Sequence, residues 1–246
     1  MRLTDFDALT FDCYGTLIDW ETGIFDALAP WLERHGVAAG AGEVLEAFAQ
    51  RESKQQADTP DMVYPEVLAR VHTALAEHWG ISSSKSEARE FGASVGNWPA
   101  FADAPEALGI LKEHFKLVIL SNVDRTSFRA SNDKLGVEFD AVFTAQDIGS
   151  YKPDPRNFAA LVDGLKGLGV EAKRTLHTAQ SLFHDHVPAG AAGLATAWIN
   201  RRHDQEGWGA TMPVAQAAQT DFHFTSLAEM VERLKAYANI LAVHFR

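Results

Sequence analysis

The fold of this chain is constrained most by one stretch near its start, Asp-Ala-Leu-Thr-Phe-Asp-Cys-Tyr-Gly-Thr-Leu at positions 7–17. Leu9 and Phe11 are apolar and Ala8 is small, which suits a short strand buried in a parallel sheet. The strand ends at Asp12, and Gly15 lets the chain turn sharply without a Cβ penalty. A carboxylate at the carboxyl end of a parallel strand stands where open α/β sheets bind ligands. The expectation is that Asp12 is a nucleophile and that the rest of the chain positions and covers it. Alternation sends Cys13 to the opposite face of the strand, into core packing.

After this strand the pattern turns helical. Ile24, Phe25, Leu28, Trp31 and Leu32 share one face of a helix ended by Gly36, with Pro30 inside it predicted to kink or split it. Further helices are predicted over Glu43 to Gln55, over Pro65 to Trp79, and in a short stretch ending near Val95. At Trp98-Pro99 the pattern changes again. Asp103, Pro105 and Glu106 predict a capping box ahead of Leu108 and Leu111. Strands are predicted at Lys116 to Ser121, Asp140 to Thr144, Thr175 to Thr178, Leu194 to Ile199 and Phe222 to Phe224. Between them fall a helix opened by Asp154 and Pro155 and another from about Asp185, and Ser226 with Glu229 caps a last helix to about Leu241. Strands alternating with helices imply parallel βαβ units. The predicted architecture is a doubly wound α/β core over residues 1–19 and 99–246, with a helical cap inserted over residues 20–98.

The net charge of −11 and pI near 5.3 argue against non-specific binding to nucleic acid or to an anionic membrane. No run approaches the roughly 18 apolar residues of a membrane span, and the first residues lack an apolar signal core. A single cysteine, Cys13, permits no intrachain disulfide, which fits a reducing compartment. The expected setting is therefore cytoplasmic, with neither nucleic acid nor membrane as partner.

Four segments should meet at one sheet edge: Asp12 to Thr16, Ser121-Asn122, Lys152, and Gln180-Ser181 through Asp185. Together they supply a nucleophilic carboxylate, hydroxyl and amide donors, an ammonium and a second carboxylate. In order and wording they resemble the motifs of the haloacid dehalogenase superfamily: Asp-Cys-Tyr-Gly-Thr-Leu, Leu120-Ser121-Asn122, Tyr151-Lys152-Pro153 and the Asp185 region. Phosphatases of that superfamily carry a second Asp two places after the nucleophile, where this chain has Tyr14. A phenol is a poor general acid for that step and a poor Mg²⁺ ligand. The first motif is similar instead to type II 2-haloacid dehalogenases, which use no metal.

That resemblance implies a small 2-substituted carboxylic acid as substrate and no cofactor. It implies attack of Asp12 on the α-carbon, an aspartyl ester, and hydrolysis of that ester by water. Lys152 would keep Asp12 ionised and Asp185 would hold Lys152, while Thr16 bonds Asp12. Asp185 or His184 would help activate the water. Ser121, Asn122 and backbone N–H groups near Tyr14 and Gly15 would hold the substrate carboxylate. Arg51 in the cap is the candidate to receive a halide, with Ser181, Phe158 and Trp20 as candidate lining residues. The resemblance also implies a homodimer.

Four segments, Asp-Cys-Tyr-Gly-Thr-Leu-Ile-Asp-Trp-Glu at positions 12–21, Glu52-Ser53, Asn97-Trp98-Pro99 and Ser181-Leu-Phe-His-Asp-His, look like the azetidine-2-carboxylate hydrolases of the same branch. There an amine, not a halide, leaves the α-carbon, and His184, His186 or Tyr14 would matter as proton donors. A phosphatase-like hydrolase and a non-catalytic binder of small acids are the remaining alternatives. The near-complete Asp12, Lys152 and Asp185 set disfavours the binder, which needs no ionised nucleophile.

Overall fold

The computed structural model describes residues 1–214 and 218–244, with side chains described through residue 237. A first strand, β1 (Ala8–Phe11), leads into four consecutive helices, α1 (Trp20–Arg34), α2 (Ala41–Asp58), α3 (Tyr64–Trp79) and α4 (Lys85–Gly92). The chain then alternates: α5 (Ala104–Lys112), β2 (Lys116–Ser121), α6 (Arg125–Leu135), β3 (Ala141–Thr144), α7 (Ala145–Ile148), α8 (Pro155–Gly167) and β4 (Thr175–Ala179). It closes with α9 (Val187–Ala191), β5 (Ala195–Ile199), β6 (Phe222–Phe224) and α10 (Leu227–His244).

The strands form one parallel sheet in the order β3-β2-β1-β4-β5-β6. This is the doubly wound order, and the direction of winding reverses between β1 and β4. The crevice that opens at such a reversal lies beyond the carboxyl ends of those two strands, where Asp12 emerges. Alternation divides the core. Leu9, Phe11, Leu117 and Ile119 pack on one face of the sheet, while Ala8, Val118 and Leu120 meet Phe158, Leu161 and Leu165 of α8 on the other. Cys13 is buried on the first face, as expected, and burial pushes its thiol well up, away from the reactive thiolate.

The four-helix insertion leaves and rejoins the core at one point. Ile18 bridges Ala100 antiparallel, and the Asp19 N–H bonds the Pro99 carbonyl at 2.8 Å. Side chains also tie the insertion to the core: Tyr151 Oη donates to the Met62 carbonyl and Arg202 pairs with Glu21. Inside it, Trp98 packs so closely on α1 that a Cβ at Gly23 would come within 2.3 Å of its ring.

Two local expectations need correction. Pro30 does not split α1, which runs unbroken from Trp20 to Arg34. Pro30 is exposed, and so is Asp26, whose carbonyl loses its helical donor, so water can satisfy it. Asp103 stands at the N-cap of α5 but makes no side-chain cap bond there. Its carboxylate turns instead to Arg201, at 2.9 Å, and to the N–H groups of Leu227 and Ala228 at 2.8 and 3.1 Å. It therefore caps α10, a helix more than a hundred residues away in sequence.

Candidate active site

Lys152 is the centre of the site. Its ammonium is buried and donates to Asp12 Oδ1 at 2.8 Å, Asp185 Oδ1 at 2.7 Å and the Leu120 carbonyl at 3.0 Å. An ammonium has three N–H donors, so its capacity is filled. Thr16 Oγ1 donates to Asp12 Oδ2 at 2.8 Å and accepts from the Gln180 N–H at 2.9 Å. Lys152 is itself held by Asn122, whose side chain bonds both the Lys152 N–H and its carbonyl, at 2.7 and 3.0 Å. Asn122 is thus a positioning residue for Lys152, and both ends of its amide are engaged.

Three charges share this small buried volume. Burial acts most strongly on Lys152, favouring its neutral form, but the Asp12 and Asp185 carboxylates outweigh it and the ammonium is stabilised. Burial likewise opposes the Asp185 charge, yet Lys152 and His177 hold its carboxyl far below the ordinary carboxylate range. Asp12 goes the other way: burial pushes its carboxyl upward, Lys152 pulls it back, and the Asp185 charge adds to the rise. Asp185 is therefore the permanent anion of the pair, and Asp12 the more basic of the two.

His177 was not among the residues singled out from sequence. It lies on β4 opposite Thr10 of β1, with Nδ1 at 2.8 Å from Thr10 Oγ1 and Nε2 at 2.9 Å from Asp185 Oδ1. A carboxylate can only accept, so Nε2 is the donor to Asp185. No sequence signal finds this pair, because it depends on the β1–β4 register.

The chamber beside this cluster has a volume of about 30 Å³ and lies between the core and the cap. Asp12, Tyr14, Asn122, Val123, Lys152, Ser181, His184 and Asp185 line it from the core; Trp20, Glu52 and Tyr64 line it from the cap. A wider cavity of 260 Å³, lined by Gly15 among others, shares Trp20 with the chamber but holds no member of the Lys152 cluster. Gly15 has φ +92° and its missing Cβ would stand 2.9 Å from Trp20 Nε1, so only glycine fits beneath this indole. Ser181 Oγ bonds both the His184 N–H and His184 Nδ1, at 3.0 and 3.1 Å. Burial lowers the His184 imidazole to about 4, which leaves it neutral at neutral pH. Ser121 Oγ and Asp185 Oδ2 are buried without a partner among the described residues.

Several expected positions fall elsewhere. Arg51 does not line the chamber: its guanidinium donates to the Ala47 and Ala74 carbonyls, at 2.7 and 3.2 Å, within the α2–α3 contact. Phe158 is a core residue, edge-on to His177 at 5.3 Å between ring centroids. Tyr14 turns its hydroxyl away to Ser131 Oγ and the Ser127 carbonyl, and burial raises the phenol well above 10, so it is no proton donor for the chamber. The Gly15 N–H bonds the Ile18 carbonyl at 2.7 Å and cannot hold substrate, whereas Tyr14 N–H has no partner among the described residues. His186 Nε2 is occupied by the Ala179 carbonyl.

The cap contributes a residue that the sequence marked only as part of the Glu52-Ser53 likeness, with no role assigned to it. Glu52 is buried, and its Oε1 accepts from Tyr64 Oη at 2.8 Å and Gln56 Nε2 at 3.0 Å. Burial raises its carboxyl to about 7, the Tyr64 bond opposing. The sequence did carry a signal: Glu52 continues the helical spacing of Leu45 and Phe48, a carboxyl in an apolar stripe.

A family model of haloacid dehalogenase-like hydrolases matches residues 6–178. This chain belongs to that family. The mouse haloacid dehalogenase-like hydrolase domain-containing protein 3 is 26% identical over 203 residues, 76% of this chain and 78% of its own. Among solved structures, the L-2-haloacid dehalogenase of Xanthobacter autotrophicus superposes with a TM-score of 0.76 at 20% identity, over 94% of this chain and 98% of that one. A second structure of that enzyme, with chloropropionic acid covalently bound, gives 0.74 at 18% identity, over 94% and 98%. A hydrolase of Bacillus subtilis bound to magnesium gives 0.74 at 18%, over 96% and 100%. These likenesses establish the α/β fold and, with the family match, a hydrolase.

The donor set here does not fit a divalent cation. Lys152 occupies the position between the two carboxylates, Tyr14 points away, and among the described residues no three Asp, Glu, His or Cys side chains converge on one point.

Proposed function

We propose that this hydrolase acts, without a metal, on a small 2-substituted carboxylic acid, with Asp12 attacking the α-carbon and forming an aspartyl ester. The observation that carries this reading is the Lys152 ammonium, bonded to Asp12 and Asp185 together. A carboxylate so placed is a nucleophile with its counter-ion already supplied. The chamber is small, about 30 Å³, and walled by both core and cap, and Asp12 and Lys152 are buried at its base, which limits water around the reacting atoms. Ser121 Oγ and the Tyr14 N–H are donors for the substrate carboxylate.

In the second step water attacks the ester carbonyl of Asp12. Lys152 and Thr16, each bonded to one Asp12 oxygen, stand where negative charge develops. His184, neutral at pH 7 and lining the chamber, is the group that can take the proton from water, while Asp185 stays ionised and holds Lys152. A phosphatase reading finds no support in the donor set around Asp12.

For the leaving group, a 2-haloacid giving 2-hydroxy acid and halide is the reading that the dehalogenase structures favour. Opening of a strained ring amine at the α-carbon, as in azetidine-2-carboxylate, is favoured by Glu52, a carboxyl where a halide would need a cation. The test is single turnover in ¹⁸O-water with L-2-chloropropionate and with L-azetidine-2-carboxylate. Label entering Asp12, read by peptide mass, supports the ester. Turnover with label only in the product rejects it.

A further inference from the structure

Two spaces meet at the carboxyl edge of the sheet, and the loops that carry the site run along the line between them. Tyr14 and Ser181 line the chamber, while their chain neighbours Gly15 and Gln180 line the 260 Å³ cavity. Trp20 lines both. Three groups converge at the divide: a Cβ built on Gly15 would stand 2.9 Å from Trp20 Nε1 and 3.3 Å from Gln180 Oε1. The indole thus stands between Asp12 and the wider cavity, and it is pinned there. Its ring is edge-on to buried Phe48 of α2, at 6.2 Å between centroids. The next residue, Glu21, is held by the core, pairing with Arg202 and accepting from the Ala210 N–H at 2.9 Å. In the wider cavity the arginines are spent on other partners. Arg201 is bonded to Asp103 and the Thr16 carbonyl, and Arg202 to Glu21 and the Glu206 carbonyl. What is left for a ligand is the apolar surface of Trp20, Phe25, Ala41 and Leu45.

We propose that Trp20 sets the length limit of the substrate: its indole stops the chain on the α-carbon from growing past the chamber, and the cavity behind it takes an unbranched alkyl tail once the indole is removed. The proposal rests on the reading that a small carboxylic acid binds beside Asp12. A carboxylate held from the core side, at Ser121 Oγ and the Tyr14 N–H, leaves the chain directed at the cap wall, which Trp20 helps to form. A wall of this kind selects by clash, so it rejects longer acids without tightening the hold on short ones. Because the indole is fixed by Phe48 on one side and by the Glu21 contacts on the other, it does not yield to a longer chain as a loosely packed side chain would.

The test uses propionate and hexanoate, which carry no leaving group and so report binding alone, with dissociation constants measured on the full chain by NMR titration. In the parent, affinity should fall about tenfold or more from propionate to hexanoate, the cost of forcing methylenes into a filled space. In Trp20→Ala the order should reverse. Each methylene moved into an apolar space is worth about fourfold in affinity, so three of them favour hexanoate by up to about 60-fold. Trp20→Phe keeps a ring against Phe48 and should show part of the shift, so the outcome does not hang on how well Trp20→Ala folds. Ala41, exposed at the start of α2, supplies the control. In the double variant Trp20→Ala with Ala41→Trp, a new indole fills the tail cavity and the gain for hexanoate should disappear. A gain that survives there is a general loosening of the cap and overturns the proposal. So does a parent that binds hexanoate as well as propionate. Propionate bound with an unchanged length preference in both Trp20 variants overturns the proposal and leaves the small-acid reading standing. A parent that binds neither acid ends the small-acid reading, and the proposal falls with it.

Discussion

Glu52 makes the stability of this protein depend on pH in a direction opposite to that of most carboxylates. Its carboxyl titrates near 4.5 in the unfolded chain and is raised to about 7 in the folded one. Between those values the unfolded chain releases the proton first, so stability falls as pH rises, and levels off above the folded value. Each pH unit in that window corresponds to about 1.4 kcal/mol, so the Glu52 contribution should fall by about 2–3 kcal/mol between pH 5 and pH 8. Glu52→Gln keeps the shape and an acceptor for Tyr64 Oη but cannot titrate. The assay is urea unfolding of both proteins at the two pH values. The difference in unfolding free energy, parent minus variant, isolates Glu52, because every other titrating group cancels. It should move against the parent by about 2–3 kcal/mol on going to pH 8. A difference that stays level with pH would show that Glu52 is solvated and ordinary, and would remove the physical basis for its role opposite Asp12.

Other outcomes follow from the same geometry. Lys152→Met should abolish turnover and destabilise by about 3–5 kcal/mol, because Asp12 and Asp185 are left buried without their cation; unfolding midpoints and activity read both. His177→Phe removes the donor to Asp185 Oδ1 and should cost about 1.5–3 kcal/mol while lowering kcat more than it raises KM, which steady-state kinetics will separate. Because the Asp12 carboxyl is raised, the acid limb of kcat/KM should lie above the ordinary carboxylate value of 3.8, with activity rising as pH rises through it; a limb at or below that value contradicts the Asp12 assignment. Asp103→Ala uncaps α10 and unpairs Arg201, with an expected loss of about 1–2 kcal/mol that Asp103→Asn should partly restore, measured by thermal unfolding.

Much of this architecture is legible residue by residue. Alternating or continuous apolar runs mark all six strands to within a residue or two, because β-strand burial is a local pattern with period two. The Asp12–Lys152–Asp185 core of the site is legible for a related reason: Asp12 directly follows β1, Lys152 lies beyond β3 and α7, and Asp185 lies in the turn after β4, and parallel strands bring their carboxyl ends to one edge. The misreadings share a cause as well. Asp103 carries a local capping pattern but is drawn off by Arg201 and the α10 N-terminus, partners that only folding delivers. Arg51 and Glu52 are neighbours on α2, and which of the two faces the chamber depends on the rotation of that helix about its axis.

Sequence alone determined the layered α/β class, the helical insertion after the first strand, and the meeting of Asp12, Lys152 and Asp185 at one sheet edge. Tertiary structure decided which groups surround them: His177 behind Asp185 through the β1–β4 register, Asn122 clamping the Lys152 backbone, and Glu52 as the cap's polar group facing Asp12. The physical reason is that hydrophobic periodicity specifies which face of an element is buried. The partner that a buried polar group finds there depends on register and helix rotation, and these are set by packing over the whole molecule.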